Sequence, residues 1–218
     1  MKNSDFLKIL ESFPGKEQLK RGNAQKLTLE YCYIDFVQLT RKITQIKFKL
    51  KLPSNNEEKW FKFLAFCWCI GKAASQIEEF YLLPEQGKLY KYDNIAINVI
   101  VKNIKGGINS CDIQFTDDIE RFANDYDTLT ARAYAECKSS FLEDSMIVGT
   151  SAMVQTELDC IVNQYTDKFC NPMVMWGKYR RNWIKTTLPI SFQFHHVQMD
   201  GGHGAGFLEQ LQQVINEL

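Results

Sequence analysis

The sequence predicts a mixed α/β fold, and three observations carry that expectation. The chain has 218 residues, which suits one folded unit able to bury a core without disulfide or metal staples. Stretches that alternate apolar and polar residues are interleaved with stretches of 3.6-residue periodicity. No linker, internal repeat or low-complexity tract divides the chain, so residues 1–218 read as a single domain, with 1–25 as an N-terminal extension.

Composition narrows the function. A hydrophobic share of 45% with 13% aromatics is globular. The 26 Lys and Arg balance 26 Asp and Glu, which opposes a nucleic-acid role, because backbone-binding domains carry a basic excess. No apolar run nears the roughly 18 residues of a membrane span, and the start MKNSDFLKILESF lacks a signal-peptide core. The expectation is a cytoplasmic protein without a membrane partner. The seven cysteines are scattered, with Cys67-Trp68-Cys69 one residue short of a CxxC and no second pair to complete a zinc site. They read as reduced, mostly buried thiols.

In chain order, residues 4–13 suggest a short helix ended by Pro14-Gly15, and 24–40 a second helix of ambiguous period. Residues 45–52 alternate strictly, with Ile46, Phe48, Leu50 and Leu52 on one strand face and three lysines on the other. Residues 57–80 read as a long buried helix whose Gly71, Ala73 and Ala74 allow close packing. Strands are expected at 88–92 and 95–102, and Gly106-Gly107 marks a turn. A helix follows over 117–135, then two strands within 145–165, another at 172–180, and one at 187–197. Phe207, Leu208, Leu211, Val214, Ile215 and Leu218 recur at helical spacing and define a final helix from Gly204 to Leu218.

All three histidines fall between His195 and His203. Strand alternation places His196 with Ile190, Phe192 and Phe194, and His195 with Ser191 and Gln193. Asp200 and a glycine-rich turn follow. Three chemistries can use this segment. His196, Asp200 and His203 could ligate a metal, but their spacing aligns only on a helix, which Gly201-Gly202 oppose. Gly202-His203-Gly204-Ala205-Gly206 loosely imitates a dinucleotide loop, yet too little chain follows to complete a βαβ unit. Alternatively, His196 is a general base for a hydroxyl, thiol or amine, with Asp200 fixing the backbone.

HHVQMDGGHGAGFLEQLQQ resembles the HHxxxDGxH signature of the chloramphenicol acetyltransferases, whose HxxxD core recurs in acyltransferase subunits of 2-oxo acid dehydrogenases and in condensation domains. Asn171 to Tyr179 resembles the family's AP-x-x-x-MGKY strand, EQGKLYKYDNI its DGELVIWDSV, and FTDDIERF its YxxDFxxF helix. The likeness runs in order and spacing from about residue 58 to the C-terminus. It implies a CoA-dependent acyltransferase fold assembled as a homotrimer, with active sites at the subunit interfaces. It also implies acetyl-CoA, or another acyl-CoA, as cosubstrate, a small-molecule acceptor, and no permanently bound cofactor or metal. By position His196 is the base, Asp200 supports the catalytic loop through an arginine ion pair, and Tyr179 lines the coenzyme site.

The departures fall on the acceptor side. Gly149 stands where the family has a serine near the oxyanion, so Thr150 or Ser151 becomes the candidate donor. Met175 replaces a threonine and Gly202 an aromatic, while Arg21 and Lys26 are the candidates for the partner of Asp200. The expected function is O-acetyl transfer of the antibiotic-resistance type. The alternatives are a biosynthetic acyltransferase with another donor or acceptor, and a catalytically weak trimeric homologue acting as a binding scaffold.

Overall fold

Helix α1 (Glu58–Ala74) is apolar on nearly every side, and its surroundings explain why. In the computed structural model, which describes residues 18–21, 24–27, 36–44, 58–85, 87–157, 161, 169–181 and 186–218, α1 packs on a β-sheet and on two further helices. Its residues 64–67, 69–71, 73 and 74 are all buried. Gly71 lies directly against the Phe115 ring, and any Cβ there would strike it. The tight packing expected at this glycine is therefore present. Where the sequence suggests a helix to residue 80, α1 stops at Ala74, and a separate 3-10 turn follows at Glu78–Tyr81.

Among the described residues the strands form two sheets. The smaller takes the order β1 (Gln18–Arg21), β2 (Ala24–Leu27), β5 (Lys88–Lys91), β4 (Leu82–Glu85), antiparallel throughout. Gly87, at φ +71°, makes the turn between β4 and β5. The larger sheet runs β11 (Thr186–His195), β9 (Met173–Trp176), β8 (Met146–Ala152), β6 (Ile95–Lys102), β7 (Ile108–Gln114). Here β6, β8 and β9 are parallel neighbours and the other pairings are antiparallel. Strand β3 (Phe36–Thr44) pairs along β11 from Thr44 opposite Thr187 to Phe36 opposite His195, and β10 (Arg180–Arg181) pairs its start.

The helix expected over 24–40 is thus replaced by β2 and the start of β3. The segment FVQLTRKIT is rich in β-branched residues, and pairing with β11 satisfies its backbone, so tertiary context decides an ambiguous period. Strand β7, INSCDIQ, escapes sequence reading because Asn, Ser and Asp are depleted in strands. The helix expected at 4–13 and the strand at 45–52 lie outside the described residues, as does most of 158–168.

Cross-strand partners share a face of the sheet, so the register sorts the residues. One face carries Ile97, Val99, Ile113, Val148, Val174, Trp176, Ile190, Phe192 and Phe194, all no more than 3% exposed. Trp176 meets Phe63 and Phe66 of α1 at centroid distances of 5.0 and 4.8 Å. Phe192 meets Phe80 at 5.8 Å and Phe207 of α3 (Gly201–Glu217) at 4.6 Å. Helix α2 (Ile119–Glu136) packs on β6 and β7, capped by Asp118. The opposite face carries a row from Asp112 through Asn98, Gly149 and Met173 to Gln193. It is predominantly polar.

Candidate active site

Strand β11 ends at His195, and the chain turns at once into α3. His195 is wholly buried and organises that turn. Its Nδ1 accepts the Val197 N–H at 3.1 Å, and its carbonyl accepts the N–H groups of Gln198 and Met199 at 2.9 and 3.3 Å. An Nδ1 that accepts places the neutral ring's proton on Nε2. His195 is therefore a structural pivot.

Because the strand stops there, alternation does not carry on to His196, and the expected face shared with Phe192 and Phe194 is not formed. His196 sits in the turn and is exposed, whereas both phenylalanines are buried. Its Nδ1 lies 3.3 Å from the Met199 carbonyl. A carbonyl can only accept, so this contact places the proton on Nδ1 and leaves a lone pair on Nε2. The adjacent imidazoles thus hold opposite tautomers, and only His196 combines exposure with a free basic nitrogen geometry suited to proton abstraction.

Helix α3 begins at Gly201, three residues earlier than its apolar period indicates. Asp200 is the N-cap: its Oδ1 accepts the His203 N–H at 3.0 Å, and His203 Nδ1 accepts the Asp200 N–H at 3.1 Å, forming a capping box. Two glycines in the first turn are tolerated because the cap holds that turn. His203 Nε2 reaches Glu79 Oε1 at 3.1 Å, so the histidine without assigned chemistry ties α3 to the 3-10 turn. The Asp200 carboxyl feels burial, which would raise it. The His203 N–H and the electrostatic pull of the neighbouring His203 imidazole, then the Gly202 N–H and the His196 imidazole, outweigh that and hold it below the ordinary range. The side chains of Arg21 and Lys26 lie outside the described ones.

The helical start removes the sequence objection to a metal array, but the three groups point elsewhere. His203 is committed to the Asp200 N–H and Glu79, and His196 Nδ1 to Met199. Among the described residues no group of three or more His, Cys, Asp or Glu side chains is placed to hold a metal ion.

The two candidate hydroxyls lie on opposite faces. Thr150, 1% exposed, shares the helix-covered face with Val174 and donates to the Asn98 carbonyl at 2.7 Å. It also meets the Cys67 thiol, which burial pushes strongly up. Ser151 is half-buried on the opposite face, level with Met175 and Ser191. Gly149 occupies this same face, and the Met173 Sδ fills the space that a Cβ there would need. Counted on the strand grid, Ser151 lies two strands across and four residues along from His195, about 16 Å between Cα atoms. Tyr179 packs at the edge of the core, its phenol pushed up by burial and by Cys67 and Cys69.

Sequence reasoning missed two residues that hold the turn. Gln198, 1% exposed, donates from Nε2 to the carbonyls of Glu79 at 3.2 Å and Leu82 at 2.6 Å. These partners are 119 and 116 residues away, and no local pattern signals such a contact. Glu79 is the other. The Asp-x-x-His spacing of the capping box was the one readable cue.

The sheet order and helix placement belong to the CoA-dependent acyltransferase fold. A solved chloramphenicol acetyltransferase superposes with a TM-score of 0.64 at 18% identity, covering 83% of this chain and 88% of its own. A probable dihydrolipoamide acetyltransferase from Listeria monocytogenes gives 0.60 at 12% identity, with 84% and 85% covered. Sequence assigns the family within that fold. The chloramphenicol acetyltransferase profile matches residues 24–212, and the chain belongs to this acyltransferase family. A chloramphenicol acetyltransferase from Escherichia coli is 26% identical over 174 residues, 77% of this chain and 78% of the relative. Chloramphenicol acetyltransferase 3 from the same organism is 24% identical over 172 residues, 76% and 80% respectively. Membership implies an acyl-CoA cosubstrate. Among the described residues no helix is long and apolar enough to cross a membrane.

Proposed function

We propose that this chain is a cytoplasmic O-acetyltransferase that moves the acetyl group of acetyl-CoA to a hydroxyl of a small acceptor, with His196 as general base. The observation that carries this reading is the tautomer set by Met199. With Nδ1 holding its proton against that carbonyl, Nε2 is the atom free to take a proton from the acceptor. The acceptor oxygen, as its O–H bond breaks, attacks the thioester carbonyl. Collapse of the tetrahedral intermediate expels the CoA thiolate, which takes the proton back from Nε2. The base is regenerated, and neither an acyl-enzyme nor a permanently bound cofactor is required. Asp200 supports the loop as the helix cap, and Tyr179 lines the coenzyme side.

Ser151 is the better candidate for the oxyanion, since the Thr150 hydroxyl is committed to Asn98. A span of about 16 Å between Cα atoms separates Ser151 from the His195 end of β11, which favours a site that takes the two groups from different copies. The reading therefore includes a homotrimer, each single-domain copy offering its base to the acceptor pocket of a neighbour. Exposed apolar residues such as Ile100, Ile108 and Phe141, on and beside the face opposite the described helices, favour association.

Chloramphenicol is the acceptor to test first, as inactivation of that antibiotic is the activity the relatives are named for. Met173 over Gly149 favours a second reading, a biosynthetic acyltransferase with a differently shaped acceptor. Thiol release from acetyl-CoA, with and without chloramphenicol, beside His196→Ala, decides between them. Release that needs both chloramphenicol and His196 supports the first reading. Release only with other acceptors supports the second. A folded trimer inert with every acyl donor would leave a binding scaffold and contradict both.

A further inference from the structure

We propose that Gln198 is a positioning residue for His196, fixing the imidazole's tautomer by clamping the turn that carries the Met199 carbonyl. The inference rests on His196 being the base. The turn from His195 to Asp200 has few apolar anchors of its own. Met199 is wholly buried, but its backbone carbonyl must still be aimed at His196 Nδ1. Gln198 is the neighbour that crosses to another element: its Nε2 donates to two carbonyls of the 79–82 segment, at 3.2 and 2.6 Å. Two carbonyl partners can only be served by the amide nitrogen, which fixes the side-chain flip. The 79–82 segment is itself held to the start of α3 by Glu79 and His203 at 3.1 Å. The catalytic turn is thus gripped twice by one short piece of chain, once on each side of Asp200.

The arrangement is poorly suited to serve stability alone. Among the described residues Gln198 Oε1 is buried without a hydrogen-bond partner, and an unsatisfied buried acceptor offsets much of what the two donated bonds contribute. An apolar side chain of equal length would remove that unsatisfied acceptor while leaving the Glu79 and Leu82 carbonyls without this donor, so the two effects largely offset. What it could not supply is direction. A hydrogen bond of 3.3 Å between His196 and Met199 is at the long end of useful geometry, so a small rotation of the 198–199 peptide would release the ring to exchange tautomers.

Long-range ¹H–¹⁵N spectra of the imidazoles test this in the full-length protein without any acceptor, and only three histidines need assignment, with His196→Ala identifying the signal. The wild type is expected to show His196 mainly protonated on Nδ1, and Gln198→Met to show a mixture. Melting temperature should stay within about 5 °C. With a working acceptor, kcat should fall about tenfold while KM holds, and Gln198→Glu, lacking the donor, should not restore it. A wild-type ring protonated mainly on Nε2 would overturn the proposal. So would Gln198→Met with an unchanged tautomer, or a Gln198→Met chain that cannot fold. If the tautomer responds while no acceptor is ever acetylated, the clamp stands and the proposed reaction fails.

Discussion

Both faces of β11 are buried, yet by different means. Phe192 packs against the rings of Phe80 and Phe207 at 5.8 and 4.6 Å and against Phe194 at 5.1 Å, with Ile190 buried on the same face. Ser191, Gln193 and His195 are equally hidden, between 0% and 7% exposed. Ser191 Oγ donates to the Ile161 carbonyl at 2.7 Å, and His195 accepts from Val197. Apolar burial is non-directional and tolerates sliding; polar burial requires every partner in place. The first face holds the sheet against the helices. The second fixes where the strand ends and how the turn that carries His196 leaves it.

The contrast can be broken from either side. Phe192→Ala should lose about 3–5 kcal/mol of stability in urea unfolding, since its ring contacts leave a cavity; a loss below about 1 kcal/mol would mean the aromatic cluster is not the anchor. On the other face, Ser151→Ala should reduce kcat by about 10²–10³ with unchanged melting. Mixing it with His196→Ala copies should recover part of the activity, because some hybrid sites then hold both groups; no recovery would place base and donor within one chain. Asp200→Ala should cost about 0.5–2 kcal/mol as the helix loses its cap. The pH dependence has a definite sign. A carboxyl held below its ordinary value of 3.8 contributes stability fully above that value and loses it as pH falls through the lowered one. Asp200→Asn should keep most of the cap and flatten this acid limb. The smallest effect is expected for Gly149→Ser, about 1 kcal/mol, removed by Met173→Ala because the flexible thioether is what obstructs the new side chain.

The same contrast explains what could be read beforehand. β6, β11 and α3 announce themselves through the period of their apolar residues, and the fold class follows from their interleaving. β7 does not, because its face away from the helices carries Ser110, Asp112 and Gln114, of which only Asp112 is buried. The chain near residues 24–40 was ambiguous until β3 found β11 as a partner. At the site, motif and spacing single out His196 and Asp200. They are silent on the tautomers, which depend on where β11 stops. They are silent as well on Glu79 and Gln198, whose contacts span more than 115 residues. Thr150 and Ser151 were equivalent in sequence; one residue of strand phase separates a committed hydroxyl from an available one.

The central claim is that the exposed imidazole of His196 removes the acceptor's proton. Its most direct test is the initial rate of CoA release by His196→Gln against wild type, with saturating acetyl-CoA and acceptor and with matched unfolding curves. A general base predicts a fall of about 10²–10⁴ in kcat. Turnover by His196→Gln within a few-fold of wild type would contradict it.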